Sequence, residues 1–310
     1  MPDRTIVITG ATDGLGRALS GALARHPATT LILHGRNQSR LDELAATLAD
    51  APASIHTVRA DFSELAQVHR LADEIFEFTD HLSVLVNNAG IGGGEPDGND
   101  RRLSTDGHEL RFAVNHLAAF ALTQRLLPLL DRGAPARIVN VASIGQAPID
   151  FADPTLEHNY SGMRAYGQSK LAMITTGFTL AHQLDPHRIT VNSLHPATYM
   201  PTKMVLDSVG YSIDSLETGL EATLRLILSP ELDGTTGQFY DRTHPTKAHP
   251  DAYNPTTQQK LWALSTRLTT RPDHPPPPSP TPHALTHTPT TTPTYLQPPH
   301  RRTPRTHLPG

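Results

Sequence analysis

Short apolar runs alternate with amphipathic stretches through most of this 310-residue chain, and that rhythm limits its fold more than any other feature. Thr5–Thr9, Thr30–His34, Ile55–Ala60, Leu82–Val86, Arg137–Ala142 and Ile189–Leu194 read as buried strands, with a last short one at Gly237–Tyr240. Helical periodicity fills the gaps at Arg17–Arg25, Arg40–Leu48, Leu65–Phe76, Asp106–Leu130, Tyr166–Leu184 and Leu216–Leu228. A final helical stretch, Thr256–Leu268, holds the sole tryptophan, Trp262. Strands that are apolar throughout are buried on both faces, and strands separated by helices run parallel. The expectation is α/β: one doubly wound parallel sheet forming a single domain over residues 1–270. Ligands of such sheets bind beyond the carboxyl ends of the strands. The residues at those ends are therefore the candidates for function.

The first strand runs into Gly10-Ala11-Thr12-Asp13-Gly14-Leu15-Gly16 and then a helix. A glycine-rich turn at a helix N-terminus lets backbone N–H groups hold a pyrophosphate. The spacing is G-x-x-x-G-x-G, and the physical needs are the same as for the more familiar dinucleotide pattern: a tight turn, close backbone approach and close helix packing. The second strand ends in Gly35-Arg36-Asn37. A carboxylate there would bind the ribose 2′-hydroxyl of NAD, whereas an arginine accommodates the 2′-phosphate of NADP. No carboxylate stands there, which favours NADP(H) over NAD(H); the plainer reading of Arg36 is a solvated surface residue. Further strand ends carry Asp61-Phe62, Asn87-Asn88-Ala89-Gly90, Ser143 and His195-Pro196-Ala197-Thr198. Asparagines at such places also serve as ordinary turn residues. Asn115, a lone amide amid apolar helical residues, reads first as a structural bridge.

Tyr166-Gly167-Gln168-Ser169-Lys170 places a phenol and an ammonium one helical turn apart on one face. Ionising a tyrosine near neutral pH asks for about 4 kcal/mol of differential stabilisation of the phenolate, given its ordinary value of ~10. A buried ammonium can supply much of that; an exposed one cannot.

Composition removes other classes. A net charge of -4 and a pI near 6.5 give no nucleic-acid footprint. Without cysteine there are no disulfides or thiolate metal sites, and no metal is expected. No apolar run is long enough to span a membrane, and an apolar strand begins at Thr5 with no signal segment before it, so a cytoplasmic location is expected. Residues 271–310 hold 13 of the 28 prolines among Thr, His and Arg, and read as a disordered low-complexity tail.

Taken together, TGATDGLG (9–16), RADF (59–62), NNAG (87–90), FAVNHLAAF (112–120), IVNVAS (138–143), YGQSK (166–170) and VNSLHPA (191–197) resemble the short-chain dehydrogenase/reductase family over roughly residues 4–270. The resemblance implies a Rossmann-type fold and NAD(P)-dependent interconversion of an alcohol and a carbonyl on a small molecule. It implies Tyr166 as proton donor or acceptor, Ser143 on the substrate oxygen, and Lys170 binding the nicotinamide ribose and lowering the Tyr166 pKa. Asn115 would hold a water that passes the proton onward. Asp61 and Phe62 would flank the adenine, and Asn88, Ala89 and Gly90 would line the adenosine side. The spacing from Ser143 to Tyr166 is 23 residues, and the intervening segment resembles the insertion of the retinol dehydrogenase-like and WW-domain oxidoreductase-like branch, which acts on hydrophobic substrates.

Two departures stand out. The usual Pro-Gly is Pro196-Ala197, and Pro201 replaces the usual threonine, so Thr198 or Thr202 would contact the nicotinamide carboxamide instead. Loop 91–100, insertion 144–165 and segment 199–215 would bound the substrate. The last carries Met200, Met204, Val205, Leu206, Val209 and Tyr211, which suit an apolar lid and equally suit ordinary packing or a dimer face. The family implies a homodimer or homotetramer. A non-catalytic dinucleotide-binding sensor or scaffold on the same fold is the alternative reading.

Overall fold

The computed structural model describes residues 4–94, 98 and 100–270. The 271–310 tail, and residues 95–97 and 99 of the 91–100 loop, lie outside the described residues. In chain order come β1 (Arg4–Ile8), α1 (Gly14–Leu23), β2 (Thr29–Gly35), α2 (Gln38–Thr47), β3 (Ser54–Arg59), α3 (Leu65–Phe78) and β4 (Val84–Asn87). Then follow α4 (Leu110–Phe112), a π-turn (Ala113–Leu117), α5 (Ala118–Arg132), β5 (Ala136–Val141), α6 (Gly162–Gln183) and β6 (Ile189–His195). The chain continues through α7 (Lys203–Val209), α8 (Leu216–Leu228), β7 (Phe239–Asp241), β8 (His244–Thr246) and α9 (Pro255–Thr269).

All eight strands form one sheet in the order β3-β2-β1-β4-β5-β6-β7-β8. Every pairing is parallel except β7 with β8. The expected doubly wound α/β sheet is therefore present, and alternate residues of each strand show why it is wound on both sides. Val7, Ile32, Leu85 and Ile138 pack with α3, α5 and α6. Their neighbours Ile6, Ile8, Leu31, Leu33, Val84, Val86 and Val139 pack with α1, α2 and α8 on the other face. Burial on both faces is why apolar residues stand at consecutive positions of these strands.

Several boundaries differ from the sequence expectation, for identifiable reasons. Helix α1 begins at Gly14, not Arg17, because the Asp13 carboxylate caps it by accepting from the Gly14 N–H at 2.7 Å. The helix expected from Asp106 begins at Leu110. Leu103 and Glu109 form an antiparallel bridge around a turn at Gly107, and the Glu109 carboxylate caps the Phe112 N–H. Asp106 instead caps α3, its Oδ2 accepting from the Leu65 N–H at 2.8 Å. Segment 199–215 contains the short helix α7, and β8 follows the strand expected to be last.

The final helix lies across α5 and α6. Leu261 and Leu264 are buried in the third apolar cluster, and the Trp262 ring meets Phe120 edge-on at 5.1 Å. His116 Nε2 and Ser265 Oγ are 2.7 Å apart at the same junction. Burial in this apolar setting pulls His116 down to about 3, so the ring is neutral.

Candidate active site

Strand order reverses between β1 and β4, because β1 pairs with β2 on one side and β4 on the other. A crevice opens there at the carboxyl ends, where this architecture takes its ligands. Thr9 ties its two banks together. Its hydroxyl donates to the Val86 carbonyl at 3.2 Å and accepts from the N–H groups of Asn88 (2.9 Å) and Ala89 (3.0 Å). The Asn88 side-chain amide returns the tie, donating to the carbonyls of Thr9 (2.9 Å) and Gly10 (3.1 Å).

Two glycines of the turn are irreplaceable on geometry. Gly10 has φ +66°, and a Cβ there would lie 2.8 Å from Ala89 Cα. A Cβ on Gly16 would lie 2.1 Å from the Gly10 carbonyl oxygen. The turn thus brings bare backbone to the mouth of the crevice. The N–H groups of Leu15 and Gly16, in the first turn of α1, have no carbonyl four residues back within the helix. That is a cradle for an anionic diphosphate, and the residues present fit a dinucleotide.

The floor beyond the turn is built on His34. Its Nδ1 accepts from the Gly10 N–H at 3.3 Å, so Nε2 carries the proton and donates to the Ala60 carbonyl at 3.0 Å. Burial lowers its pKa to about 4 and keeps it neutral. Phe62, expected to flank adenine, is buried and stacked on His34 with ring centroids 4.3 Å apart. Asp61 Oδ1 accepts from the Ser63 N–H and hydroxyl at 2.8 and 2.7 Å. Arg36 and Asn37 are exposed at the end of β2, and Asn37 caps α2 by accepting from the Arg40 N–H. Arg40, which the sequence reading passed over, swings back to Asp13 at 3.4 Å and sets a second guanidinium beside the turn. Its position in the first turn of the helix after Arg36 was the available signal.

At the far end stand Ser143, Tyr166 and Lys170. Ser143 leaves the end of β5 beside the Tyr166 ring: a Cβ on Gly145 would lie 3.4 Å from Ser143 Oγ and 3.8 Å from Tyr166 Cε1, and Ser143 Oγ accepts from the Gly145 N–H at 3.0 Å. Lys170, one turn after Tyr166 on α6, is 5% exposed and donates from Nζ to the Val141 carbonyl at 2.9 Å. Its ammonium lies 5.7 Å from the Tyr166 ring centroid. The electrostatics differ from the sequence expectation. Burial pushes the Tyr166 phenol up, and the pull downward comes from Ser143 rather than from Lys170. Burial also draws Lys170 down to about 8. An ammonium that faces the ring and is bonded to a carbonyl does little for the hydroxyl in the protein alone.

Asn115 sits in the π-turn, where the Ala118 N–H reaches back five residues to the Ala113 carbonyl. Its Oδ1 accepts from the Ile91 N–H at 2.8 Å. Its Nδ2 donates to the Ile91 carbonyl (3.1 Å) and the Ser169 hydroxyl (2.9 Å). Both amide protons are thereby used, so the side chain itself has none to give a relay water; it holds the loop.

After β6, Pro196 and Ala197 are buried. Thr198 is taken up in a network: its hydroxyl meets His195 Nε2 and accepts from Arg242 Nη2, each at 3.1 Å, and its N–H donates to Asp214 at 2.7 Å. Thr202 is the threonine that reaches the glycine turn. Its methyl would lie 2.8 Å from a Cβ on Gly14. Exposed Ile144, Met163, Tyr199, Leu206, Tyr211 and Ile213 come from the insertion, the start of α6 and segment 199–215, and Tyr199 lies close enough to raise the Tyr166 pKa further. Among the described residues no cluster of His, Asp or Glu could hold a metal, and no helix is long and apolar enough to cross a membrane.

Residues 4–209 match the family model of the short chain dehydrogenases. The chain belongs to that family. As a short-chain dehydrogenase it is an NAD(P)-dependent oxidoreductase that acts between CH–OH and C=O groups of a small molecule. It is 31% identical to the WW domain-containing oxidoreductase of Danio rerio over 299 residues, 89% of this chain and 71% of that protein. It is likewise 31% identical to human retinol dehydrogenase 14 over 294 residues, 86% of each chain. Among solved structures it resembles a short chain dehydrogenase from Salmonella enterica serovar Typhi, with a TM-score of 0.64 and 25% identity over 78% of this chain and 96% of that one. The retinol dehydrogenase-like branch expected from the insertion agrees with the first two of these.

Proposed function

We propose that this dehydrogenase uses NADP(H) to interconvert a hydroxyl and a carbonyl on a small hydrophobic substrate, with Tyr166 as the proton donor and acceptor. One observation carries the reading: Ser143 and Tyr166 stand side by side next to exposed apolar side chains, with buried Lys170 one turn along α6. In the reducing direction the carbonyl oxygen lies between the two hydroxyls, which donate to it as negative charge develops. The cofactor, when bound, supplies the hydride that goes to the carbonyl carbon. Tyr166 releases its proton to the oxygen, and its elevated pKa keeps it protonated for that task at neutral pH. Lys170 is the fixed cation that steadies the phenolate left behind, and its burial strengthens the interaction. In the oxidising direction the same groups act in reverse.

Arg36, Asn37 and Arg40 support NADP(H), because two guanidiniums and no carboxylate stand at the end of β2. Asp13 opposes them with one negative charge that Arg40 already pairs. Thr12, Gly14, Leu15, Gly16, Asn88, Ala89 and Gly90 would hold the diphosphate and ribose, and Pro196, Thr198 and Thr202 the nicotinamide end. A homodimer or homotetramer formed through α5 and α6 would meet α9, which packs against both.

Parallel titrations with NADPH and NADH, followed by carbonyl reduction, test the reading. NADPH is expected to bind at least about tenfold tighter, a difference of ~1.4 kcal/mol; parity or a preference for NADH overturns the role of the two arginines. Tyr166→Phe is expected to keep cofactor affinity and lose roughly 10²–10⁴-fold in turnover. Undiminished turnover would mean that Tyr166 is not the proton donor, and a parent that binds the dinucleotide but reduces nothing would favour a sensor.

A further inference from the structure

The loop after β4 has almost no side chains with which to hold itself: Gly90, Gly92, Gly93 and Gly94 surround Ile91. It nonetheless lies at the heart of the site. A Cβ on Gly90 would stand 3.2 Å from Asn115 Oδ1 and 3.4 Å from Lys170 Nζ, and one on Gly93 would stand 2.6 Å from Met163 Sδ. Met163 is exposed and precedes Tyr166 by one turn of α6. A glycine segment loses more freedom on ordering than any other, so its shape must be imposed from outside.

One short stretch of chain does this. Asn115 holds both backbone groups of Ile91. Almost one turn earlier, Arg111 donates from Nε to the Gly92 carbonyl at 2.7 Å and from Nη2 to the Gly94 carbonyl at 3.2 Å. Arg111 is 3% exposed and its partner Glu109 1% exposed, with Nη1 and Oε1 3.8 Å apart. Tyr160 bridges them: its hydroxyl accepts from Arg111 Nη1 at 2.6 Å and donates to Glu109 Oε1 at 3.0 Å. The other Glu109 oxygen accepts from the Phe112 N–H at 2.7 Å. Burial and the Glu109 charge push the Tyr160 phenol up to about 12, so it remains a donor. Tyr160 lies in the 144–165 insertion two residues before α6 begins, and the Gly162 N–H donates to the Gly98 carbonyl at 2.7 Å. These part-buried contacts together tie the glycine loop, the insertion and the first turn of the helix that carries Tyr166.

A buried ion pair contributes little net stability compared with apolar packing of the same volume. Its value here is geometric. We propose that Glu109, Arg111 and Tyr160 form a clamp that fixes the Ile91–Gly94 loop as the substrate-side wall of the site, with Arg111 as the positioning residue. The proposal rests on the reaction assigned above. Loss of the clamp lets the wall move, which weakens capture of the substrate and leaves the chemistry of Ser143, Tyr166 and Lys170 in place.

Tyr160→Phe removes one hydroxyl and keeps the ring; Glu109→Gln keeps the shape and the cap on Phe112. Both are compared with the parent by hydrogen–deuterium exchange, NADPH binding, and NADPH-dependent reduction of two probes, nonanal and benzaldehyde. The amides of Ile91 and Gly162 are expected to exchange at least about tenfold faster, and KM for both probes to rise about tenfold. Turnover number and NADPH affinity are expected to stay within about threefold of the parent. Unchanged exchange at these amides overturns the clamp, and faster exchange with unchanged KM overturns its role in positioning. A parent that reduces neither probe overturns the assigned reaction and the positioning role with it, while the exchange rates still decide whether the clamp holds the loop. Tyr160→Phe alone decides the matter where Glu109→Gln does not fold.

Discussion

Replacing Lys170 by methionine separates what the site costs the fold from what it does for the reaction. Lys170 is 5% exposed, and burial draws its ammonium from the ordinary 10.5 to about 8. The folded state therefore binds this proton less tightly than the unfolded chain. At pH 7 the lysine is charged in both states, and the difference of 2.5 between those two values corresponds to about 3 kcal/mol of stability forgone. As pH rises from 8 to 10.5 the native lysine loses its proton before the unfolded one, and the penalty fades. Urea unfolding of the parent and Lys170→Met at several pH values from 7 to 10.5 measures this directly. The stability of the variant minus that of the parent should be largest at pH 7 and fall by about 3 kcal/mol by pH 10.5. Loss of the Nζ bond to the Val141 carbonyl and the altered packing add the same constant at each pH, so they do not enter the change. A difference that stays flat with pH would refute the argument that burial sets the lysine's proton affinity. Carbonyl reduction should be lost in the variant at every pH, even where it is the more stable protein.

Other consequences follow from groups away from the reacting centre. Gly10→Ala should destabilise the protein by roughly 1–3 kcal/mol and weaken dinucleotide binding at least about tenfold, because φ is +66° and the new Cβ would meet Ala89 Cα; a melt and titration matching the parent would contradict this. His34 and His116 are buried neutral at about 4 and about 3, so their contribution is complete above pH 6.5 and is lost as pH falls toward those values. Each should remove about 2 kcal/mol between pH 6.5 and 5, and His116→Gln should show that much less acid destabilisation than the parent over the span. Equal pH slopes in the two proteins would contradict the assignment.

The order of strands and helices was legible because burial on both faces makes apolar residues recur along each strand, and Gly, Asn and Asp collect at the ends. The glycine turn and the Tyr166–Lys170 pair were legible for a related reason: their spacing is local. What escaped the sequence depends on partners far along the chain. Asp106 precedes an apolar periodic run and reads as the start of a helix, yet its carboxylate caps α3 forty-one residues earlier. β8 has neither alternation nor β-branched residues at most positions and carries a proline. Glu109, Arg111 and Tyr160 meet across separations of 49 and 51 residues, which no local pattern announces. The electrostatics of Lys170 also lay beyond reach, since spacing reveals a neighbour and burial decides what it does.

The short eighth strand has a consequence for how copies of this chain can meet. A parallel sheet that ends in a long bare strand offers its outer N–H and C=O groups to any other strand of the right length. Here that border is His244-Pro245-Thr246, three exposed residues with Pro245 opposite Tyr240. The central residue has no N–H to give, and its ring fills the space a newcomer's backbone would need. The sheet is sealed on that side, and association between copies there has to proceed through helices or loops, not by continuing the sheet from one molecule into the next.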